Sequence, residues 1–466
     1  MPDFDTYLSP FSWRYGTPAM RQLWSETNKR LLWRLVWVAL AEVQSEYGLV
    51  SPEQLTDLRT HMKEIDLPRA LEIEAEIQHD LMAELRTFAE QCPTGGRKLH
   101  FGATSTDIED NVDALRIRSG LILLDQNLVS LLQTLCLLIE KYADTPLMAF
   151  THLQPAEPTT LGYRLAFYGQ DLLTDHQAVR GLIEGIKGKG FKGAVGTSAA
   201  FAEILGKEAL AEFESKLSKK LALPFFQVTS QVYPRKQDFF VISTLAGLGA
   251  SLYKLAFDLR LLQSPNMGEL AEPFSERQVG SSAMPFKRNP IRAEKINSLA
   301  RYLASLPRMA WDNSAHSLLE RTLDDSANRR ILLPEAFLAA DEILRTANGL
   351  FAKLRVDESA ISRNLAVYGP FAATERVLMR LVKAGADRQE MHDRLRSLAL
   401  KAWEEIGGGG VNPLVDDLCR DAELIEYLSE QEIRAIMRAG SYVGDAPERA
   451  RAMSKSIEEN IRLPIP

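Results

Sequence analysis

Apolar positions recur at three- and four-residue steps along most of the chain. From Leu121 they fall at Leu121, Leu124, Leu128, Leu131, Leu132, Leu135, Leu138 and Ile139, which line one face of a helix. Similar stripes run through residues 31–43, 161–183, 291–309 and 331–354. Period-two runs bounded by turn residues are scarce, so the pattern predicts an all-α fold. Residues 239–262 are apolar nearly all the way round, and a helix of that kind is expected to be buried on every side. It belongs at the centre of a bundle, built either by one chain or by several. Breaks are expected at residues 92–97, 185–196, 223–235, 264–290 and 407–413.

Size and composition narrow this picture. The 466 residues exceed the roughly 250–300 at which one core stops growing, so two or three structural units are expected. Against 62 acidic side chains stand 55 basic ones, a net charge of -7, and a general nucleic-acid or membrane-surface footprint is absent. Local arginine clusters that grip one phosphate remain compatible with that balance. The uncharged run over residues 239–253 is shorter than the roughly 20 residues needed to span a bilayer. The first residues carry acids and no apolar targeting segment, so no secretory signal is expected. Cys92, Cys136 and Cys419 are widely spaced, which predicts buried thiols in a reducing cytoplasm. Gly188-Lys189-Gly190-Phe191-Lys192-Gly193 matches a dinucleotide fingerprint by spacing, but it follows a helical stripe with no βαβ unit around it. No nicotinamide site is expected there. The turn GGGGVNP at 407–413 lacks the lysine of a phosphate loop.

The segment GSSAMPFKRNP, residues 280–290, is unlike helix or strand. Its serines, its prolines and its Lys-Arg-Asn cluster suit a binding loop or lid. Lys287 and backbone N–H groups there can stabilise a developing anion, and a serine hydroxyl can move a proton. On composition alone a plain inter-helix connection fits equally well.

This segment resembles the signature loop of the fumarase/aspartase superfamily, GSSxMPxKxNP, with every fixed position filled. HFGATSTDIEDN at 100–111 and THLQPAEPTT at 151–160 stand where that superfamily has its other two blocks. Within it, AMPxKRNP, ERTLDDSANRR at 320–330 and SPFSWRYGTPAM at 9–20 resemble the adenylosuccinate lyase family. Argininosuccinate lyases read closer to LMPQKKNP and fumarases to IMPGKVNP. The resemblance implies three helical domains, residues 1–104, 105–355 and 356–466, with the central long helices joining a homotetrameric bundle. It implies sites shared by three chains and a cofactor-free, metal-free β-elimination. Fumarate would leave adenylosuccinate to give AMP, and would leave succinylaminoimidazole carboxamide ribotide, in purine nucleotide biosynthesis. Another leaving group, as in argininosuccinate lyase, and a catalytically silent structural relative are the alternatives.

Carried onto this sequence, the resemblance makes His152 the general acid and Ser281 the base, with Lys287 stabilising the anion and His79 beside the substrate. Imidazole suits proton transfer near neutral pH. Serine is the less intuitive base, since its anion must be strongly stabilised. His79-Asp80 is read as lying on a helix, within IQHDLMAEL. Arg14, Arg321 and Arg330 are the cationic forks for a phosphate or carboxylate. Tyr15, Gln78, Asp80, His100, Thr104, Ser105, Gln231, Asn289, Lys295 and Ser326 complete the expected binding set. No metal shell can be assembled around Asp324-Asp325. Gln78, Phe286 and Lys295 depart from the residues that one branch of the family carries, and Lys295 keeps charge without a bidentate fork.

Overall fold

The computed structural model describes residues 4–462, and helices dominate it. The stripes become the helices Glu26–Glu46, Ser105–Lys141, Leu161–Gly185, Lys236–Leu262, Ile291–Ser305 and Asp324–Phe351. Pro307 closes the stripe at 291–309 early and starts a separate helix, Pro307–Ala315, because proline cannot donate to the preceding turn. The predicted face from Leu121 is fully buried at Leu121, Leu124, Leu128, Leu131, Leu132 and Leu135. Each such side chain contributes roughly 1.5–3 kcal/mol. Gly120 lets the Ser105–Lys141 helix meet the Asp324–Phe351 helix, since a Cβ there would lie 2.7 Å from the Phe337 ring.

The long helices share one core, and residues 373–437 form a second, smaller one. The final helix, Ala446–Ile461, leaves that second unit and packs against Ser105–Lys141 and Leu161–Gly185, burying Ala450 and Ile457 in the main core. By packing, therefore, residues 356–466 divide between two cores.

Three readings of the sequence change. The THLQP block sits on an antiparallel hairpin, Pro146–Thr151 paired with Gln154–Thr160, and the pairing is irregular between Met148 and Phe150. His79 is not mid-helix: Gln78 ends the helix Leu67–Ile77 in a left-handed conformation (φ 54°), and His79 caps the next helix, Asp80–Gln91. The Lys236–Leu262 helix is long and apolar enough to cross a bilayer, and so is Ser105–Lys141; both bury apolar faces in the protein core. Burial of Lys236–Leu262 is nonetheless incomplete within one chain. Phe240 is 53% exposed, Phe257 52% and Leu261 40%, a stripe along one side.

Glu84 (0% exposed) lies between Arg30 (1%) and Arg34 (0%), accepting from Arg34 Nε at 2.6 Å and from Arg30 at 3.2 Å. Removing this carboxylate strands two buried guanidinium groups. Glu84→Ala is expected to lower unfolding free energy by about 3–5 kcal/mol. Denaturant melts read this, and a loss under about 1 kcal/mol would mean that Glu74 and water suffice as partners.

Candidate active site

The N-terminus of the Ser105–Lys141 helix organises the first group of side chains. Thr104 N donates to Asp107 Oδ2 (2.9 Å), and the helix begins at Ser105 with its N–H groups facing outward. Oriented amides and the helix dipole favour an anion there. Ser105 Oγ lies 3.4 Å from His79 Nε2, and Met82 N donates to His79 Nδ1 (3.4 Å). A neutral His79 ring therefore carries its proton on Nε2, toward Ser105. Trp37 Nε1 donates to His100 Nδ1 (3.0 Å), and burial lowers the His100 pKa, so this ring is neutral with Nε2 as its donor. Thr106 Oγ1 donates to the Gln231 carbonyl (2.5 Å), and Gln231 N donates to the Glu320 carbonyl (3.1 Å). Those bonds bring the 100–111 block, Gln231 and the 320–330 block into one place.

A charged cleft opens beside this group. Asp80, Glu109, Arg321, Ser326 and Arg330 line it, together with Lys29. Arg330 pairs with Asp80 (2.8 Å), and Arg321 with Asp325 (2.7 Å). Burial opposes ionisation of Asp80, but Arg330 and Lys29 outweigh it and hold the carboxyl below its usual range. Beneath the cleft, Arg235 donates to Asp325 (2.7 Å) and to Asp110 (3.0 Å), while Arg329 donates to Asp238 (2.8 Å) and to the Tyr233 hydroxyl (2.9 Å). These buried pairs fix the start of the Asp324–Phe351 helix against the Ser105–Lys141 helix. The sequence reading missed Lys29, Glu109, Arg235 and Arg329. Only the Arg329-Arg330 tandem and the position of Glu109 inside the 100–111 block pointed toward them.

The loop at 280–290 forms a second group elsewhere in the chain. Ser281 Oγ accepts two backbone amides, from Met284 (3.1 Å) and Ala283 (3.3 Å), whereas Ser282 is exposed and has no such donors among the described residues. Asn289 Nδ2 donates to the Gly280 carbonyl (3.0 Å), closing the loop at its base. A Cβ on Gly280 would meet the Lys287 carbonyl at 2.0 Å, so this closure requires glycine. Lys287 is exposed, and its ammonium group has no partner among the described residues. Lys287 and Asn289 face a cleft shared with Arg355 and Glu358.

His152, Arg14, Tyr15 and Lys295 lie apart from both groups. His152 and Leu153 have φ of 53° and 60° at the tip of the hairpin, the two left-handed positions of a type I′ turn, and both are exposed. Gly16 N donates to Glu342 (3.1 Å) and Thr17 N to Asp341 (2.5 Å), which seats Arg14 and Tyr15 on the Asp324–Phe351 helix. Lys295 pairs with the same Glu342 (2.6 Å). Glu342 lies twelve residues beyond Arg330, about 18 Å along the helix axis. One phosphate cannot touch both ends. Gln78 is exposed and makes no side-chain bond among the described residues.

The glycine-rich 188–193 segment has a structural use. Asp107 accepts the amides of Lys192 (3.1 Å) and Gly193 (3.1 Å) and pairs with the buried Lys189 ammonium. Away from the site, Asp57, His61 and Cys92 place a carboxylate, an imidazole and a thiol within 4.8 Å of one another. That carboxylate accepts the Thr94 (2.9 Å) and Gly95 (2.8 Å) amides and brackets the 92–97 turn.

Comparison with known proteins places these features in context. Residues 57–303 match a family model described as "Lyase", and residues 370–453 match "Adenylosuccinate lyase C-terminus". The chain is 36% identical over 473 residues to an adenylosuccinate lyase of Saccharomyces cerevisiae, covering 100% of this chain and 97% of that one. It is 39% identical to one from Schistosoma mansoni (90% and 89% covered) and 34% identical to one from Archaeoglobus fulgidus (98% and 100%). The fold matches a 3-carboxy-cis,cis-muconate lactonizing enzyme from Pseudomonas putida with a TM-score of 0.85 at 24% identity, covering 96% of this chain and 99% of that one. A fumarate lyase from Mesorhizobium sp. BNC1 matches at 0.82 and 24%, with 97% and 99% covered.

Proposed function

The chain belongs to the adenylosuccinate lyase family of the fumarase/aspartase superfamily, and from that premise we propose how its residues divide the work. It is a carbon–nitrogen lyase, and its reaction is the β-elimination of fumarate from adenylosuccinate to give AMP.

Ser281, as its alkoxide, takes the proton from the carbon beside a succinyl carboxylate. The electron pair moves onto that carboxylate and then expels the nitrogen, breaking the C–N bond, while His152 protonates the leaving nitrogen. The observation that carries this assignment is the pair of amides donated to Ser281 Oγ. Preorganised donors of that kind stabilise an oxyanion without reorganisation, and they supply what a serine base needs. Lys287 neutralises charge on the carboxylate, and Asn289 holds the loop. Thr104, Ser105, His79 and His100 receive the other carboxylate at the helix N-terminus. Arg321, Ser326 and Arg330 take the phosphate, with Asp80 aiming Arg330 and Gln231 joining the two segments.

The same reading includes a homotetramer. Arg14, Tyr15 and Lys295 are assigned to a neighbour's nucleotide, because Gly16 and Lys295 bond Glu342, about 18 Å of helix from Arg330. The exposed apolar stripe Phe240, Phe257, Leu261 gives the bundle a face to close on. Succinylaminoimidazole carboxamide ribotide is the second substrate. The three buried free thiols suit the cytoplasm.

Fumarate release from adenylosuccinate, argininosuccinate and succinylaminoimidazole carboxamide ribotide, assayed separately, tests this. Release from the two purine-pathway compounds and none from argininosuccinate is expected. Release from argininosuccinate alone would overturn the substrate assignment.

A further inference from the structure

Glu109 lies on the wall of the charged cleft, and the mechanism above gives it no task. The cations around it are already matched. Arg330 is paired with Asp80, Arg321 with Asp325, and Lys29 with Glu26. Deeper, Arg235 faces Asp110 and Asp325, Arg329 faces Asp238 and Asp113, and Arg116 faces Asp113. Glu109 is the carboxyl left over: it makes no hydrogen bond or ion pair among the described residues. On its own helix it has Asp110 and Asp113 as neighbours, and Asp80 also lines the cleft; among the cations there, Arg330 is the one that most favours its ionised form. Burial, reinforced by Asp80, Asp110 and Asp113, pushes its carboxyl up to about 7.

An ionised Glu109 would place a second negative charge beside a phosphate dianion held at Arg330, whose field already acts on Glu109. A neutral Glu109 adds no such charge, and its O–H can donate to a phosphate oxygen. We propose that Glu109 is a proton-linked determinant of nucleotide binding, entering the complex as a neutral carboxylic acid that donates to the phosphate at Arg330. The inference rests on the assignment of the phosphate to the Arg321–Arg330 end of the cleft. One proton is taken from solvent for each phosphate bound whenever Glu109 starts ionised. The sign follows directly. A bound dianion offsets the field of Arg330 at Glu109 and adds a like charge, so the complex holds the proton more tightly than the free protein. As pH falls through 7 Glu109 becomes increasingly neutral, and the proton it takes up on binding shrinks accordingly. Above that pH, affinity falls by up to about tenfold per pH unit, the limit for a single linked proton.

The test is titration calorimetry of the assembled protein with AMP and with adenosine, at pH 8, in two buffers of different ionisation enthalpy. The expected result is uptake approaching one proton per AMP, none with adenosine, and tighter binding of AMP. Glu109→Gln, which is always neutral, should lose the uptake, bind AMP about tenfold more tightly than the parent at pH 8, and keep that affinity flat from pH 7 to 8.5. Glu109→Ala should also lose the uptake, and it serves if the glutamine variant fails to assemble. Equal uptake in parent and variant, or no uptake by the parent, overturns the role of Glu109 while the phosphate assignment stands. Equal affinity for AMP and adenosine overturns the phosphate assignment, and this inference with it.

Discussion

Replacing Ser281 with alanine is expected to reduce fumarate release by about a thousandfold or more, with tetramer formation and AMP affinity near those of the parent. The size follows from the balance of the proposed chemistry. The proton on carbon is a poor acid, and the base that meets it must be strong yet present at neutral pH. A hydroxyl meets both demands only where its anion is stabilised before the reaction begins. The amides of Ala283 and Met284 aim at Ser281 Oγ, and the exposed Lys287 ammonium stands in the same loop. Ser282 has neither amide, so Ser282→Ala should change turnover by less than about tenfold. Single-turnover fumarate release measures both. A Ser281→Ala protein within tenfold of the parent would remove this residue from the mechanism, and a Ser282→Ala protein that is the more impaired would transfer the role to its neighbour.

Mixing two nearly inert proteins, Ser281→Ala and His152→Ala, is expected to raise activity at least a hundredfold over either alone, toward about a quarter of the parent. Within one chain the 280–290 loop and the hairpin that carries His152 border clefts at different places along the helix Glu358–Lys383. The cleft of the 280–290 loop reaches Glu358 and Ser359, whereas the cleft beside the hairpin reaches Phe371 and Glu375. Ser359 and Phe371 are separated by about 18 Å of helix. A proton taken at one residue and another given at the second must serve one substrate, which needs the partners to come from different chains. In the proposed tetramer, hybrids then contain some sites in which both residues are intact. Coexpression followed by a fumarate assay reads the outcome. Activity no greater than the sum of the parents would place both residues in a single-chain site.

Legibility of the sequence varied with the range of the interactions. The 280–290 loop was visible because its chemistry is local: serines, glycine, lysine and asparagine all lie within eleven consecutive positions. Long stripes were legible for the same reason, since helical hydrogen bonds span four residues. The hairpin under His152 was not, because Pro155 and Pro158 break any alternation in its second strand and the register slips between Met148 and Phe150. The break at Gln78 was hidden too: no glycine or proline marks it, and the apolar stripe continues in phase through Ile77 and Leu81. Arg235, Arg329 and Asp110 find their partners about ninety or more positions away, and no spacing rule reaches that far. Of the three aspartates that act on Glu109, Asp110 and Asp113 follow it in sequence, but Asp80 reaches it only through the fold.

The bare stripe of Phe240, Phe257 and Leu261 has a consequence for how much work a given amount of protein does. In the proposed assembly a dilute chain is both adhesive and idle, because its face is uncovered and its site unfinished. Output per molecule then climbs steeply with abundance before levelling off. Doubling a scarce supply would yield far more than twice the flux, and a modest shortfall in synthesis would act as an off switch.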